Sequence, residues 1–155
     1  MRNYPEWAIA FWATVVIGAV TVPLNAWLPG EELEYGLLAS GSKIAIVDGE
    51  RLERIEDRLD AIPSLTHLIV ARHAGALPQK GEAWADVVAG PHDYAALPDA
   101  ALPSADIAPE DDATIFYTSG TTGRPKGCLL YTSDAADDMQ CVDLGGRRII
   151  KKQCV

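Results

Sequence analysis

The apolar positions of this chain fall into blocks whose spacing switches between that of a helix and that of a strand. The longest block, Trp7 to Leu24 (WAIAFWATVVIGAVTVPL), is almost unbroken and reaches the lower limit of a membrane span. Two features divide it. The β-branched run Val20-Thr21-Val22 ends in Pro23, so the spacing predicts a helix from about Pro5 to Gly18 and then a short buried strand. No basic flank beyond Arg2 orients a span, and Pro5 and Glu6 stand where a signal peptide would be basic. The block is therefore read as a core helix with no membrane span expected. A small membrane-anchored protein using Trp7–Leu24 is the competing reading.

Beyond the Pro29-Gly30 turn the two periods alternate. Glu31 to Ala39 is predicted as a short helix with acids in its first turn and Ser40-Gly41 as its stop. Lys43 to Asp48 reads as a buried strand. Glu50 to Ala61 carries Leu52, Ile55 and Leu59 at helical spacing, with Pro63 beyond its end. Its acids Glu50, Glu53, Glu56 and Asp57 interleave with Arg51, Arg54 and Arg58, which reads as a solvated ion-pair face. Thr66 to Val70 is a second strand, and Glu82 to Val88 a further short helix. The four prolines between Gly90 and Pro109 mark a connection across the surface. Ala113 to Tyr117 is then another strand. This alternation predicts an α/β fold: a partial parallel sheet with flanking helices.

Charge narrows the class of partner. The chain carries 22 acidic and 13 basic residues, a net charge of −9. No basic stripe is present to neutralise phosphates, so nucleic acid is not an expected partner. An anionic nucleotide would have to be held by local donors rather than drawn in by the overall field. Cys128, Cys141 and Cys154 show neither metal-site spacing nor a disulfide framework. His67, His73 and His92 are scattered and read as surface or strand-end residues. Trp7, Trp12, Trp27 and Trp84 read as core and rim packing. The spacing nominates no catalytic residue and no metal ligand.

One segment is built differently. Tyr117 to Gly127 reads YTSGTTGRPKG, with Gly120, Gly123 and Gly127 alternating with the hydroxyls of Thr118, Ser119, Thr121 and Thr122, and with Lys126 near its end. Glycines let successive backbone N–H groups converge on an anion. Hydroxyls add donors, and lysine adds a point charge. This is the chemistry of a polyphosphate cradle. It is not a Walker loop, because the Gly-Lys-Ser/Thr ending is missing: Lys126 follows Pro125 and precedes Gly127. A surface turn rich in Ser, Thr and Gly has the same composition.

The order of residues in YTSGTTGRPKG resembles the signature loop of the acyl-adenylate-forming, or AMP-binding, superfamily, which includes acyl-CoA synthetases, luciferases and the adenylation domains of peptide synthetases. The acidic turn Asp106–Asp112 and the strand Ala113–Phe116 are similar to the family's approach to that loop. The stretch Arg2–Asp48 is similar to the first half of its large N-terminal domain. VPLNAWLPGEELEYGL looks most like acyl-CoA synthetases, with a peptide-synthetase or luciferase-like branch as the alternative. The resemblance covers nearly all of residues 1–127. It implies a parent ligase that joins a carboxylic acid to AMP from ATP, releases pyrophosphate, and passes the acyl group to coenzyme A. It further implies that Thr118, Ser119, Gly120, Thr121, Thr122, Gly123, Lys126 and Gly127 bind the phosphates together with Mg²⁺. A complete enzyme of this family is several times longer, so an incomplete piece of the large domain, inactive alone and truncated at both ends, is expected. A cytoplasmic location is expected with it. A non-enzymatic nucleotide-binding module remains a rival class.

A second expectation concerns the end of the chain. Residues 128–155 hold all three cysteines and balance four Asp against four Lys/Arg, unlike the acidic residues 1–127. Cys128–Asp138 and Val142–Lys152 resemble an in-frame translation of a sequencing adapter. Residues 128–155 are accordingly expected to be a non-native, disordered tail outside the domain.

Overall fold

A computed structural model describes residues 1–88, 94, 97–118 and 125–131. The elements in chain order are α1 (Pro5–Val16), α2 (Gly30–Ser40), β1 (Ile44–Asp48), α3 (Gly49–Ile55), a 3-10 turn (Glu56–Ala61), β2 (His67–Ala71), β3 (Gly81–Ala83), α4 (Trp84–Val87), β4 (Asp112–Thr118) and β5 (Lys126–Tyr131). Two compact units divide them: Met1–Ala10 with Asn25–Leu102, and Phe11–Leu24 with Pro103–Val155.

The first unit is built on the parallel sheet β1-β2-β3. Its register sets Ala45 beside Leu68 and Val47 beside Val70. All four are buried, and they share one face because side chains alternate along a strand. Leu52, Ile55 and Leu59 of the α3 segment are buried at the helical spacing that predicted them. Ile62, Leu65 and Leu68 close the core at 0 to 1 % exposure. Burying one such side chain stabilises by roughly 1.5–3 kcal/mol. Helix α2 ends where expected. Gly41 takes the left-handed conformation (φ 64°), and its N–H and that of Ser42 return to Leu38 and Leu37.

Several expectations are corrected here. The helix over Glu50–Ala61 turns to 3-10 geometry from Glu56, and Lys80 Nζ donates to the carbonyls of Leu59 and Leu65 at its end. Residues 82–88 are not one helix: Gly81–Ala83 add a third strand to the sheet, and only Trp84–Val87 are helical. Three residues are too few for a period to show.

Arg51 does not belong to a solvated face. It is 2 % exposed, and its Nη1 reaches both oxygens of the equally buried Asp48 at 3.1 and 3.2 Å. Asp48 also caps α3 by accepting from the Arg51 N–H. Nε of Arg51 donates to the Ala26 carbonyl.

The first helix departs most from its reading as a core element. In α1 the sole fully buried residue is Glu6, an acid just ahead of the apolar block. Both its oxygens are held by Arg72, at 2.9 and 3.2 Å. Arg72 has φ 54° and stacks over Tyr4 at 4.1 Å. The hydrogen bond to Glu6 holds the Arg72 pKa above its ordinary value, with burial acting against it. Trp12, by contrast, is 63 % exposed and Ile17 56 %. A helix apolar all round needs cover on every side, and the described residues supply it on few.

Helix α1 is shorter than the span that the competing reading needs. At 12 residues, α1 extends ~18 Å, against a hydrocarbon core of ~30 Å. Among the described residues no helix is long and apolar enough to cross a membrane.

In the second unit β4 and β5 pair antiparallel, and Thr21 bridges Thr114 in parallel on the other side of β4. The short strand expected at Val20–Pro23 is thus reduced to a single bridge residue. Strand pairing continues past Gly127, where the domain sequence was expected to end. β5 runs on through Cys128, Leu129, Leu130 and Tyr131, which pair with Phe116, Ile115, Thr114 and Asp112. An apolar run beside an apolar strand has pairing partners whatever its origin. Residues 132–155 lie outside the described residues.

Candidate functional site

The loop is delivered by the β4–β5 pair. Thr118 and Lys126 face each other as the last matched residues of the ladder. Thr118 Oγ1 lies 3.5 Å from the Lys126 carbonyl, a weak contact at the neck of the loop. Both residues are exposed. Among the described residues no carboxylate pairs with Lys126.

Gly127 has a reason of its own to lack a side chain. It sits opposite Tyr117, and a Cβ there would meet the Tyr117 ring at 3.3 Å and Ile115 Cγ2 at 3.2 Å. The tyrosine ring therefore lies across the backbone of β5 beside the loop neck.

Of the eight residues read as phosphate-binding, the structure brings Thr118, Lys126 and Gly127 together. Ser119, Gly120, Thr121, Thr122 and Gly123 lie outside the described residues. No group of three or more His, Cys, Asp or Glu able to hold a metal ion occurs among the described residues. Hydroxyl donors and an ammonium suit an anion rather than a bare cation, so Mg²⁺ fits this neck only as the companion of a bound polyphosphate.

Sequence reasoning missed the support of β4. Thr21 and Thr114 are buried at 7 % exposure each, and their hydroxyl oxygens lie 3.2 Å apart. The signal for Thr21 was its place as the one polar residue in an apolar β-branched run. An open cleft of about 450 Å³ occurs elsewhere, in the first unit, between Gly30 and Arg58. Its arginines are already engaged, Arg54 with Glu50 and the Leu28 carbonyl, Arg58 with Glu34. It contains none of the predicted site residues.

The mixed helix and strand fold, with its partial parallel sheet, matches the N-terminal region of adenylate-forming enzymes. The chain belongs to the AMP-binding enzyme family, whose pattern matches residues 1–149. It is 33 % identical over 135 residues to 4-coumarate-CoA ligase 2 of Narcissus pseudonarcissus, covering 84 % of this chain and 22 % of that enzyme. It is also 33 % identical over 138 residues to a long-chain-fatty-acid–CoA ligase of Mycobacterium bovis, covering 87 % and 22 %. The crystal structure of the anthranilate CoA ligase AuaEII in complex with anthranoyl-AMP superposes with a TM-score of 0.66 at 32 % identity, over 83 % of this chain and 23 % of that one. The chain thus spans about 22 % of the length of the curated relatives named here.

Proposed function

We propose that this chain is the phosphate-binding part of an ATP-dependent carboxylic acid–CoA ligase. In the first step the acid's carboxylate attacks the α-phosphorus of ATP, giving acyl-AMP and pyrophosphate. In the second the thiol of coenzyme A attacks the acyl carbonyl and AMP leaves. The observation that carries this reading is YTSGTTGRPKG set at the open end of the β4–β5 ladder, with Thr118 and Lys126 at its neck.

The residues of the loop would act on the departing pyrophosphate. The hydroxyls of Thr118, Ser119, Thr121 and Thr122 donate to phosphate oxygens, and Gly120, Gly123 and Gly127 offer backbone N–H groups unobstructed by a Cβ. Lys126 offsets the charge that builds as the α–β bond breaks. Mg²⁺, arriving on the polyphosphate, shares that charge. The relatives named above act on coumarate, long-chain fatty acids and anthranilate, and the acid taken here is set by segments of the enzyme outside this chain. By the same reading this chain alone does not activate acids: the groups that hold adenine and ribose, shape the acyl pocket and carry the catalytic lysine are expected elsewhere in the intact enzyme. We also propose that the native domain sequence gives way to unrelated sequence after Gly127.

The test is made in an intact ligase carrying residues 1–127 of this chain. Lys126→Ala is expected to slow pyrophosphate exchange into ATP by about 10²-fold, toward the lower end for loss of one charge-assisted contact in a closed site. Thioester formation from pre-made acyl-adenylate involves no pyrophosphate and should fall much less. Equal loss in both half-reactions would make the segment a structural turn and sink the proposal.

A further inference from the structure

We propose that Thr21 and Thr114 are a positioning pair whose buried hydroxyls select the register of β4 and so hold Thr118 opposite Lys126. Its functional meaning rests on the reading of the loop as a phosphate cradle; its structural content does not.

β4 is otherwise weakly held in register. Register is normally set by which side chains are buried, since a one-residue slip turns every side chain to the opposite face. In β4 that constraint is slight: among its seven residues Thr114 alone is buried, while Ile115 and Tyr117 are half-buried and Phe116 is 42 % exposed. Pairing with β5 does not fix it either. Asp112 stands opposite Tyr131 and Thr114 opposite Leu130, so Ala113 is an extra residue on β4. A ladder that already accommodates one unmatched residue can accommodate it at another place.

The other edge supplies what is missing. Thr21 N–H donates to the Ala113 carbonyl at 3.0 Å, and Ile115 N–H donates to the Thr21 carbonyl at 2.8 Å. These two bonds would form equally well one repeat along, because backbone groups carry no sequence identity. The hydroxyls do carry it. Thr21 Oγ1 is 3.2 Å from Thr114 Oγ1 and 3.3 Å from the Ala113 carbonyl oxygen, in a buried place. A slip by one residue sets Ala113 or Ile115 beside Thr21, neither of which has a side-chain partner to give. After a slip Thr21 Oγ1 can still donate to a backbone carbonyl, as it does to that of Ala113, but the buried Thr114 hydroxyl loses Thr21 Oγ1 and bears its desolvation cost. The pair therefore favours one register over its neighbours.

The consequence is felt four residues on. From Thr114 the ladder runs without interruption to Thr118 and Lys126. A slip would put another residue opposite Lys126. It would also move the Tyr117 ring off Gly127, the one position of β5 with no Cβ to obstruct it.

The experiment uses the full chain, isotope-labelled, with magnesium pyrophosphate as the probe. Cross-strand amide contacts report the register, the amides of Thr118, Lys126 and Gly127 report the probe, and urea melts report stability. Replacing both threonines by valine keeps their shape and removes both hydroxyls, so stability should change little. A second set of cross-strand contacts should nevertheless appear, and pyrophosphate should bind about fivefold more weakly, the size of one ordinary hydrogen bond's preference. Serine at both positions restores the hydroxyls and should restore a single register and the wild-type response. If the double valine variant loses its fold, Thr21→Val alone is read in the same way. A double valine variant with one register and an unchanged pyrophosphate response overturns the proposal, as does failure of serine to rescue. If two registers appear but the unsubstituted chain does not respond to pyrophosphate, the pair's hold on β4 stands and the phosphate reading of the loop falls.

Discussion

The first unit, Met1–Ala10 with Asn25–Leu102, contains every buried apolar side chain among the described residues, from Leu33 to Trp84. The second, Phe11–Leu24 with Pro103–Val155, contains the signature loop, and its buried described residues are the two threonines that face each other across β4. One unit has a core and a sheet shared by many α/β proteins. The other has the signature loop, and among its described residues no apolar side chain is buried. The two follow different physical rules. A core is stabilised by apolar area and tolerates many sequences of the right pattern. On the proposed reading as a phosphate loop, the segment must leave its donors unsatisfied until the ligand arrives, so it would consist of residues that stabilise little. Family membership is therefore most legible where stability is least.

The sharpest way to break this comparison is to attack the first unit at its buried ion pair. Asp48 and Arg51 are both nearly inaccessible, with side chains 4 % and 2 % exposed. Asp48→Ala leaves the guanidinium buried with Glu50 and one carbonyl, and removes the cap of α3. The expected cost is ~3–5 kcal/mol in urea unfolding, the range for removing one partner of a buried pair. Trp12→Ala, on the exposed face of α1, is the matched control and should cost within ~0.5 kcal/mol. If the two variants melted alike, the second unit would have a core that the described residues do not reveal.

How far these features could be read in advance depended on their length and on where their information lies. β1 and β2 were legible because five-residue apolar strands between turn signals have few alternatives. The end of α2 was legible because Ser40-Gly41 names its own conformation. β3 was not, since three residues carry no period. The burial of Arg51 was half-legible. It lies three residues after the capping Asp48 and four before the buried Ile55, which puts it on the core side of α3, yet its charge argued for solvent. Glu6 was illegible for a stronger reason: its partner Arg72 is 66 positions away, and no local pattern announces such a pair. The loop was read from residue order and not from geometry, and of its eight proposed residues the structure adds the placement of three.

A smaller effect sharpens the comparison at a helix end. Gly41 holds φ 64° with open space around the position of a missing Cβ. Gly41→Ala therefore meets no clash and isolates the backbone term, expected at about 1–2 kcal/mol. The loss should appear in global unfolding, because α2 belongs to the unit with the core. A loss confined to local amide exchange in Leu37–Ser42 would show that this unit is less cooperative than its buried residues suggest.

The smallest effect is expected from the end of the chain. Residues 128–155 were read as foreign to the domain, but β5 takes up the first four of them, and the family match continues to residue 149. Removing residues 132–155 keeps the whole of β5 and separates these views. On the view that the domain sequence ends near Gly127, the deletion removes no buried side chain that stabilises either unit. Urea stability should then change by no more than ~0.5 kcal/mol, the usual span for changes away from structured features. The response of Thr118 and Lys126 to magnesium pyrophosphate should stay the same, because β5 still carries Lys126. A loss of ~2 kcal/mol or more would instead match the size of a buried apolar side chain. It would assign residues 132–149 to the domain, and give the second unit the beginnings of a core.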